Sequence, residues 1–275
     1  MSDQAPHTLV CFHAHPDDEA IATGGTMAKA AAAGHRVVLV VATRGEHGEV
    51  ADGFLQPGET LAERRVVETH RAAEILGVAR VEFLGYVDSG MMGTPENDLP
   101  ESFWQADVDE AARRLAAVLA EERADVLTAY DENGVYGHPD HIQVHRVGVA
   151  AGRLAGTPKV YLNTLNRDFM QRETARALEE GQELPGDIDP AELGHLGVAE
   201  DRITTGVDVR DVLDVKRRAM AAHASQISET SFFLSMPENM FAVAFGQEWY
   251  ILEGAPPGTA ETDLFEGLDA LPGSG

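Results

Sequence analysis

This 275-residue chain is poor in several things at once. It has a single cysteine, Cys11, which excludes an internal disulfide. That residue lies inside an apolar run, where a small buried core thiol belongs. Lysine occurs only at positions 29, 159 and 216, so arginine carries nearly all the positive charge. Against 21 basic residues stand 46 acidic ones, for a formal charge of -25. Nucleic acid and anionic membrane surfaces both demand a basic footprint, so neither is expected as a partner. No stretch reaches the roughly 18 uninterrupted apolar residues of a membrane span. The opening MSDQAPHT lacks the charged and apolar regions of a signal peptide. The chain therefore reads as soluble and cytoplasmic.

What is present is alternation. Apolar, β-branched runs at 8–12, 36–42, 81–84, 125–130 and 159–163 predict strands. They are interleaved with helical stretches at 19–33, 59–76, 107–122 and 140–153, the first two closed by Gly34 and Gly77. RVVLVVA at 36–42 lacks alternation, as a strand covered on both faces should. This order predicts an α/β fold with a Rossmann-like, doubly wound, mostly parallel sheet and helices on both faces. The pattern then loosens: helix 168–180, a loop rich in Gly, Pro and acid at 181–200, strand 202–207, helix 210–225 and strand 241–252. One domain over 1–252 is expected, with 253–275 as a mobile acidic Gly/Pro tail.

In such a sheet ligands gather at the carboxyl ends of the strands. There the chemistry-bearing residues concentrate. HAHPDDE (13–19) follows the first strand, TRGEHGEV (43–50) the second, GYVDSGMMG (85–93) the third and YDENGVYGHPDHIQVH (130–145) the fourth. Two His-Pro-Asp segments thus meet at one rim, although more than a hundred residues separate them. A catalytic zinc takes three protein ligands from imidazole and carboxylate and keeps one open position. His15, Asp18 and His141 can supply that set, and iron(II) accepts the same donors. Asp17 remains as an unliganded base for water that the metal acidifies. His138 is placed to hydrogen-bond an oxyanion or protonate a leaving amine, with Asp140 orienting its ring. Tyr136 offers a second oxyanion donor. Together these are the needs of amide hydrolysis.

AHPDDE paired with GHPDH resembles the PIG-L (LmbE-like) metal-dependent N-deacetylases. The likeness continues through TRGEHGEV, RRVVETHRAAEILGV, LGYVDSGM, YDENG and KRRAMAAHASQ, so it spans most of residues 8–252. It implies a Rossmann-like α/β fold, zinc on His15, Asp18 and His141, Asp17 as general base, and His138 supported by Asp140. Within the family the chain is similar to deacetylases of N-acetylglucosaminyl-inositol and to amidases of mycothiol S-conjugates. That similarity implies a small glycoside as substrate, with Glu49, Arg65 and Asp88 on its hydroxyls and Tyr136 on the oxyanion. It also makes a homo-oligomer an expectation.

Other readings compete at single positions. His13 and His15 share a strand face, and HAHPDD echoes the ligand run of two-metal hydrolases of the metallo-β-lactamase kind. His141 and His145 have helical zinc-pair spacing but lack the catalytic glutamate, which leaves His145 as a supporting residue. Gly24 and Gly25 suggest a phosphate cradle, yet no Gly-x-Gly-x-x-Gly is present, and the acids beside them would repel a pyrophosphate. His223 and Gln226 form a helix end near the site. A non-catalytic metal- or sugar-binding protein is the alternative from another class.

Overall fold

The computed structural model describes residues 6–181 and 192–270. Half of the 181–200 segment therefore lies outside the described residues. Chain order begins β1 (Thr8–His13), α1 (Gly24–Ala32), β2 (Arg36–Val41), α2 (Leu61–Leu76), β3 (Arg80–Phe83) and α3 (Val108–Glu122). It continues with β4 (Val126–Tyr130), the single turn α4 (Gly134–Gly137), α5 (Pro139–Ala155), β5 (Lys159–Thr164) and α6 (Arg167–Glu179). Last come β6 (Thr205–Asp208), α7 (Leu213–Ala222), the short α8 (Phe232–Ser235), α9 (Glu238–Phe245) and β7 (Gln247–Leu252).

The sheet order is β3-β2-β1-β4-β5-β7-β6. The strands β1 to β5 pair in parallel, and β7 alone runs antiparallel to both its neighbours. This is the expected α/β fold. Each central strand feeds two cores, because successive side chains point to opposite faces. Leu9, Cys11, Val37 and Leu39 pack with Leu76 of α2 and Met220 of α7. Val10, Phe12, Val38 and Val40 pack with Leu115 of α3 and Val147 of α5. From β1 the chain moves outward through β2 to β3, then crosses back to lay β4 on the other side of β1. The crevice between the carboxyl ends of β1 and β4 is thus the switch point where such sheets hold ligands.

Two helices matter for that crevice. α2 opens with a capping box between Thr60 and Glu63 and closes at Gly77 with φ 77°. α5 starts at His138 and Pro139, the proline filling a position that needs no N–H donor. Gly148 lets α5 lie close on the sheet, since a β-carbon there would stand 2.7 Å from Cβ of Ala129.

The structure corrects two expectations. The run 241–252 is not one strand: α9 occupies its first part and β7 begins at Gln247. A continuous apolar run cannot by periodicity alone be told apart as helix or strand. The tail is not loose over its described part. Leu264, Phe265 and Leu268 are buried, and Phe265 stacks on His35 at 4.0 Å between ring centroids. Glu261 pairs with Lys159 at 2.7 Å and accepts from the Tyr161 hydroxyl at 2.6 Å. A few apolar side chains spaced through an acidic segment were enough to seat it. The amides at the Gly-Gly pair do cradle an anion, but it belongs to the chain: Glu248 accepts from Gly25 N at 2.8 Å and Thr26 N at 2.9 Å. Buried Lys216 pairs with that carboxylate at 2.6 Å.

A candidate metal centre between β1 and β4

The loop leaving β1 delivers His15 to the crevice, and the first turn of α5 delivers His141. Asp18 stands between them. Its Oδ2 lies 3.4 Å from Nδ1 of His15 and 3.4 Å from Nε2 of His141. The His15 N–H donates to the same oxygen at 2.8 Å, fixing the carboxylate. Donors bound at about 2.0–2.1 Å around a tetrahedral zinc are spaced roughly 3.3 Å apart, so both Asp18–histidine separations suit a shared cation. Among the described residues, two groups bring one donor atom from each member within 4.8 Å of one another: His15, His138 and His141, and His15, Asp88 and Asp140; Asp18 is in neither group and meets the two histidines only pairwise.

Electrostatics point the same way. His15 is buried and ringed by three carboxylates: Asp140 at 3.0 Å, Asp18 at 3.4 Å and Asp88 at 3.5 Å. Burial disfavours its imidazolium, yet hydrogen bonds to Asp140, Asp18 and Asp88 hold its pKa well above the ordinary value. Asp18 goes the other way, held well below the carboxylate range against its burial by His141 and His15. Such an excess of buried negative charge calls for a cation, and these donors fit a divalent metal.

The Asp140 carboxylate does not orient His138, contrary to the reading from sequence; only its backbone N–H reaches that ring. Its carboxylate is completely buried, takes the Nε2 side of His15, and accepts from Ser89 N at 2.9 Å and from the Ser89 hydroxyl. This is the carboxylate–histidine contact that fixes tautomer and ring angle of a metal ligand. His138 instead caps α5, its Nδ1 accepting from the Asp140 N–H at 3.1 Å. The neutral ring must then carry its proton on Nε2. Burial, with His15 and His141 beside it, pushes the His138 pKa down to about 4. At neutral pH it is a hydrogen-bond donor without charge.

Asp17 is spared from both metal-facing rings. It adopts φ 101°, a left-handed conformation unusual for a residue with a side chain. Burial pushes its pKa up to about 6, opposed by Arg65 and reinforced by Asp18. Arg65, expected on a sugar hydroxyl, is buried and committed to the loops around Asp17. It lies 3.3 Å from the Asp17 carboxylate and donates to the carbonyl oxygens of Pro16 and Gly45.

The remaining residues sort clearly. Tyr136 is half exposed with its hydroxyl 3.4 Å from Nε2 of His141. It follows Val135, whose φ of 66° is strained for a β-branched residue. Asp88 accepts from Gly90 N at 2.8 Å and His47 N at 3.2 Å, which leaves it beside His15 at the rim. Glu49 extends an exposed side chain, while its carbonyl is held by Gln226 at 3.0 Å. Both ring nitrogens of His13 are engaged, by Tyr130 at 2.7 Å and Thr23 at 2.8 Å, which removes the ligand needed by the two-metal reading. His145 donates to the Tyr130 carbonyl and pins α5 to β4. Cys11 is buried with its thiol pushed up to about 12, a core residue as expected. Reading the sequence missed Ser89 and the roles of Glu19 and His223; only the last glutamate of HAHPDDE and the HASQ segment hinted at them.

A cavity of about 190 Å³ opens from Asp18, Tyr136 and His141 toward Leu165, Phe245 and Trp249. The 196–199 stretch borders it, through Gly197 N on the Val135 carbonyl and Val198 N on the Leu165 carbonyl.

Residues 10–152 match the family model described as PIG-L: GlcNAc-PI de-N-acetylase. A curated protein of Thermomonospora curvata is 43% identical over 98% of this chain and 100% of its own length. The chain belongs to the PIG-L family. The relative's name is 1D-myo-inositol 2-acetamido-2-deoxy-alpha-D-glucopyranoside deacetylase. Two solved structures share the fold at lower identity. The N,N'-diacetylchitobiose deacetylase of Pyrococcus horikoshii is 22% identical with a TM-score of 0.57, covering 91% of this chain and 84% of that one. A 4-carboxy-2-hydroxymuconate hydratase of Pseudomonas putida, GalB, is 20% identical with a TM-score of 0.57, covering 91% and 97%. A shared fold does not fix a chemistry, and function must be argued from the site. Among the described residues no helix is long and apolar enough to cross a membrane.

Proposed function

We propose that this PIG-L protein is a zinc-dependent deacetylase. It hydrolyses the acetamide of an N-acetylglucosaminyl-inositol or a closely similar small glycoside. The observation that carries the proposal is Asp18 placed 3.4 Å from both His15 and His141 at the edge of a cavity, with the Asp17 carboxylate outside that set and beside Arg65. His15, Asp18 and His141 would hold the metal, with Asp140 and Ser89 fixing His15. A divalent cation there supplies Lewis-acid polarisation of a carbonyl and acidifies water.

The chain's own groups do the rest. Asp17, half-buried and raised toward neutrality, accepts the proton of the attacking water and returns one to the departing amine. The C–N bond breaks to give acetate and a primary amine. Nε2–H of His138 and the Tyr136 hydroxyl donate to the negative charge that develops on the acetyl oxygen. Each donor of that kind is typically worth about 10²–10³ in rate. Glu49 and Asp88, at the rim, meet sugar and inositol hydroxyls.

The test is release of primary amine and acetate from N-acetylglucosaminyl-inositol by the zinc-loaded protein, with simple N-acetylglucosaminides alongside. Turnover of the inositol glycoside is expected. Absence of amine from every one of them would leave a metal- or sugar-binding protein as the better reading.

A further inference from the structure

Asp17 needs help to stand where it does. A backbone φ of 101° is poorly populated by residues with a β-carbon, and such conformations persist only where neighbouring groups impose them. The Asp17 carbonyl accepts from Ala20 N and Ile21 N, and the Asp17 N–H meets the side chain of Glu19. Oε2 of Glu19 accepts from the Asp17 N–H at 3.0 Å, while its Oε1 lies 2.6 Å from Nε2 of His223. Glu19 and His223 are both completely buried and 204 residues apart in the chain.

Neither residue has work in the reaction described above. A buried carboxylate is costly unless its hydrogen bonds are fully used. Here both oxygens are spent, one on Asp17 and one on His223. His223 is itself immobilised. It ends α7, and the residues after it are clipped to the opposite wall: Ser225 to Glu68 through its N–H at 2.9 Å and hydroxyl at 2.6 Å, Gln226 to the Glu49 carbonyl. Arg65 grips Asp17 from the other side through its carboxylate and the Pro16 carbonyl. The base is therefore restrained at backbone and side chain by separate elements.

We propose that Glu19 and His223 are positioning residues that lock the backbone of Asp17 in its left-handed conformation and so aim its carboxylate. The proposal rests on Asp17 being the base of the reaction proposed above. It predicts that the pair affects turnover while leaving metal binding and substrate affinity nearly unchanged.

Glu19→Ala, Glu19→Gln and wild type are compared for kcat, KM, bound zinc per chain and exchange of the Asp17 amide proton by NMR. Misplacing a catalytic group by about 1 Å costs on the order of 10²-fold in rate, so Glu19→Ala should lose about that in kcat. KM and zinc content should stay close to wild type, and the Asp17 amide should lose protection while α1 keeps it. Glu19→Gln should recover most of the loss, because its amide oxygen still accepts from the Asp17 N–H. If Glu19→Ala cannot be recovered folded, His223→Gln and His223→Phe take its place; glutamine can still donate to Glu19 and phenylalanine cannot. Unchanged kcat and amide protection in Glu19→Ala, no rescue by glutamine, or activity lost in step with zinc would each overturn the proposal. If wild type itself releases no amine, the deacetylase reading fails, and the Asp17 amide exchange still decides the positioning role.

Discussion

The Asp140 carboxylate sits 3.0 Å from Nε2 of His15, so an acid of the second His-Pro-Asp segment steadies a metal-facing histidine of the first. This contact ties the two segments to each other. Removing a carboxylate that orients a metal-binding histidine typically costs about 10–100-fold in metal affinity. Asp140→Asn is therefore expected to weaken zinc binding by that factor, measured by chelator competition. A loss of kcat at saturating zinc with unchanged affinity would instead return Asp140 to His138.

Asp17 lies outside the donor set, so metal binding and proton transfer should separate at this residue. Asp17→Asn should keep wild-type zinc content and lose about 10²–10⁴ in kcat, the usual contribution of a positioned base. Activity near wild type would remove Asp17 from the reaction.

The buried His223–Glu19 pair should make stability depend on pH. Burial opposes the charged ring, but Glu19 holds the His223 pKa above its ordinary 6.5. A raised folded-state value means that the stabilisation is fully present below the unfolded pKa and is lost as pH rises through the folded one. Glu19 is lowered by His223 against its burial, so its own contribution is lost as pH falls through its folded value. The Tm difference between wild type and His223→Gln should thus be largest in mildly acidic solution and shrink above pH 6.5. A difference that grows toward alkaline pH would contradict the pairing.

Glu248 answers a buried ammonium. Lys216 and Glu248 are 1% and 2% exposed at their side chains, and Glu248 also receives the amides of Gly25 and Thr26. Breaking a buried pair by removing one partner costs about 3–5 kcal/mol, because the other charge is left without a counterpart. Glu248→Leu should destabilise by that amount in chemical denaturation, with little effect if the lysine finds water.

The succession of strands and helices, the α/β class, and the gathering of HAHPDDE and GHPDH at one rim were all legible in the residues. They follow from local propensity, hydrophobic pattern and the chirality of parallel crossovers, which act over short stretches of chain. The boundary between α9 and β7 and the seating of the tail were not, because both depend on which surface lies opposite. The same distinction applies inside the site. Composition and spacing alone determined that this chain carries imidazoles and carboxylates suited to one divalent cation. Only the tertiary structure decided that Asp140 serves His15, that Arg65 and Glu19 close on Asp17, and that His223 arrives from the far end of the chain. A side chain chooses its partner by distance and direction in space, and those are set by packing between elements that the linear order leaves free.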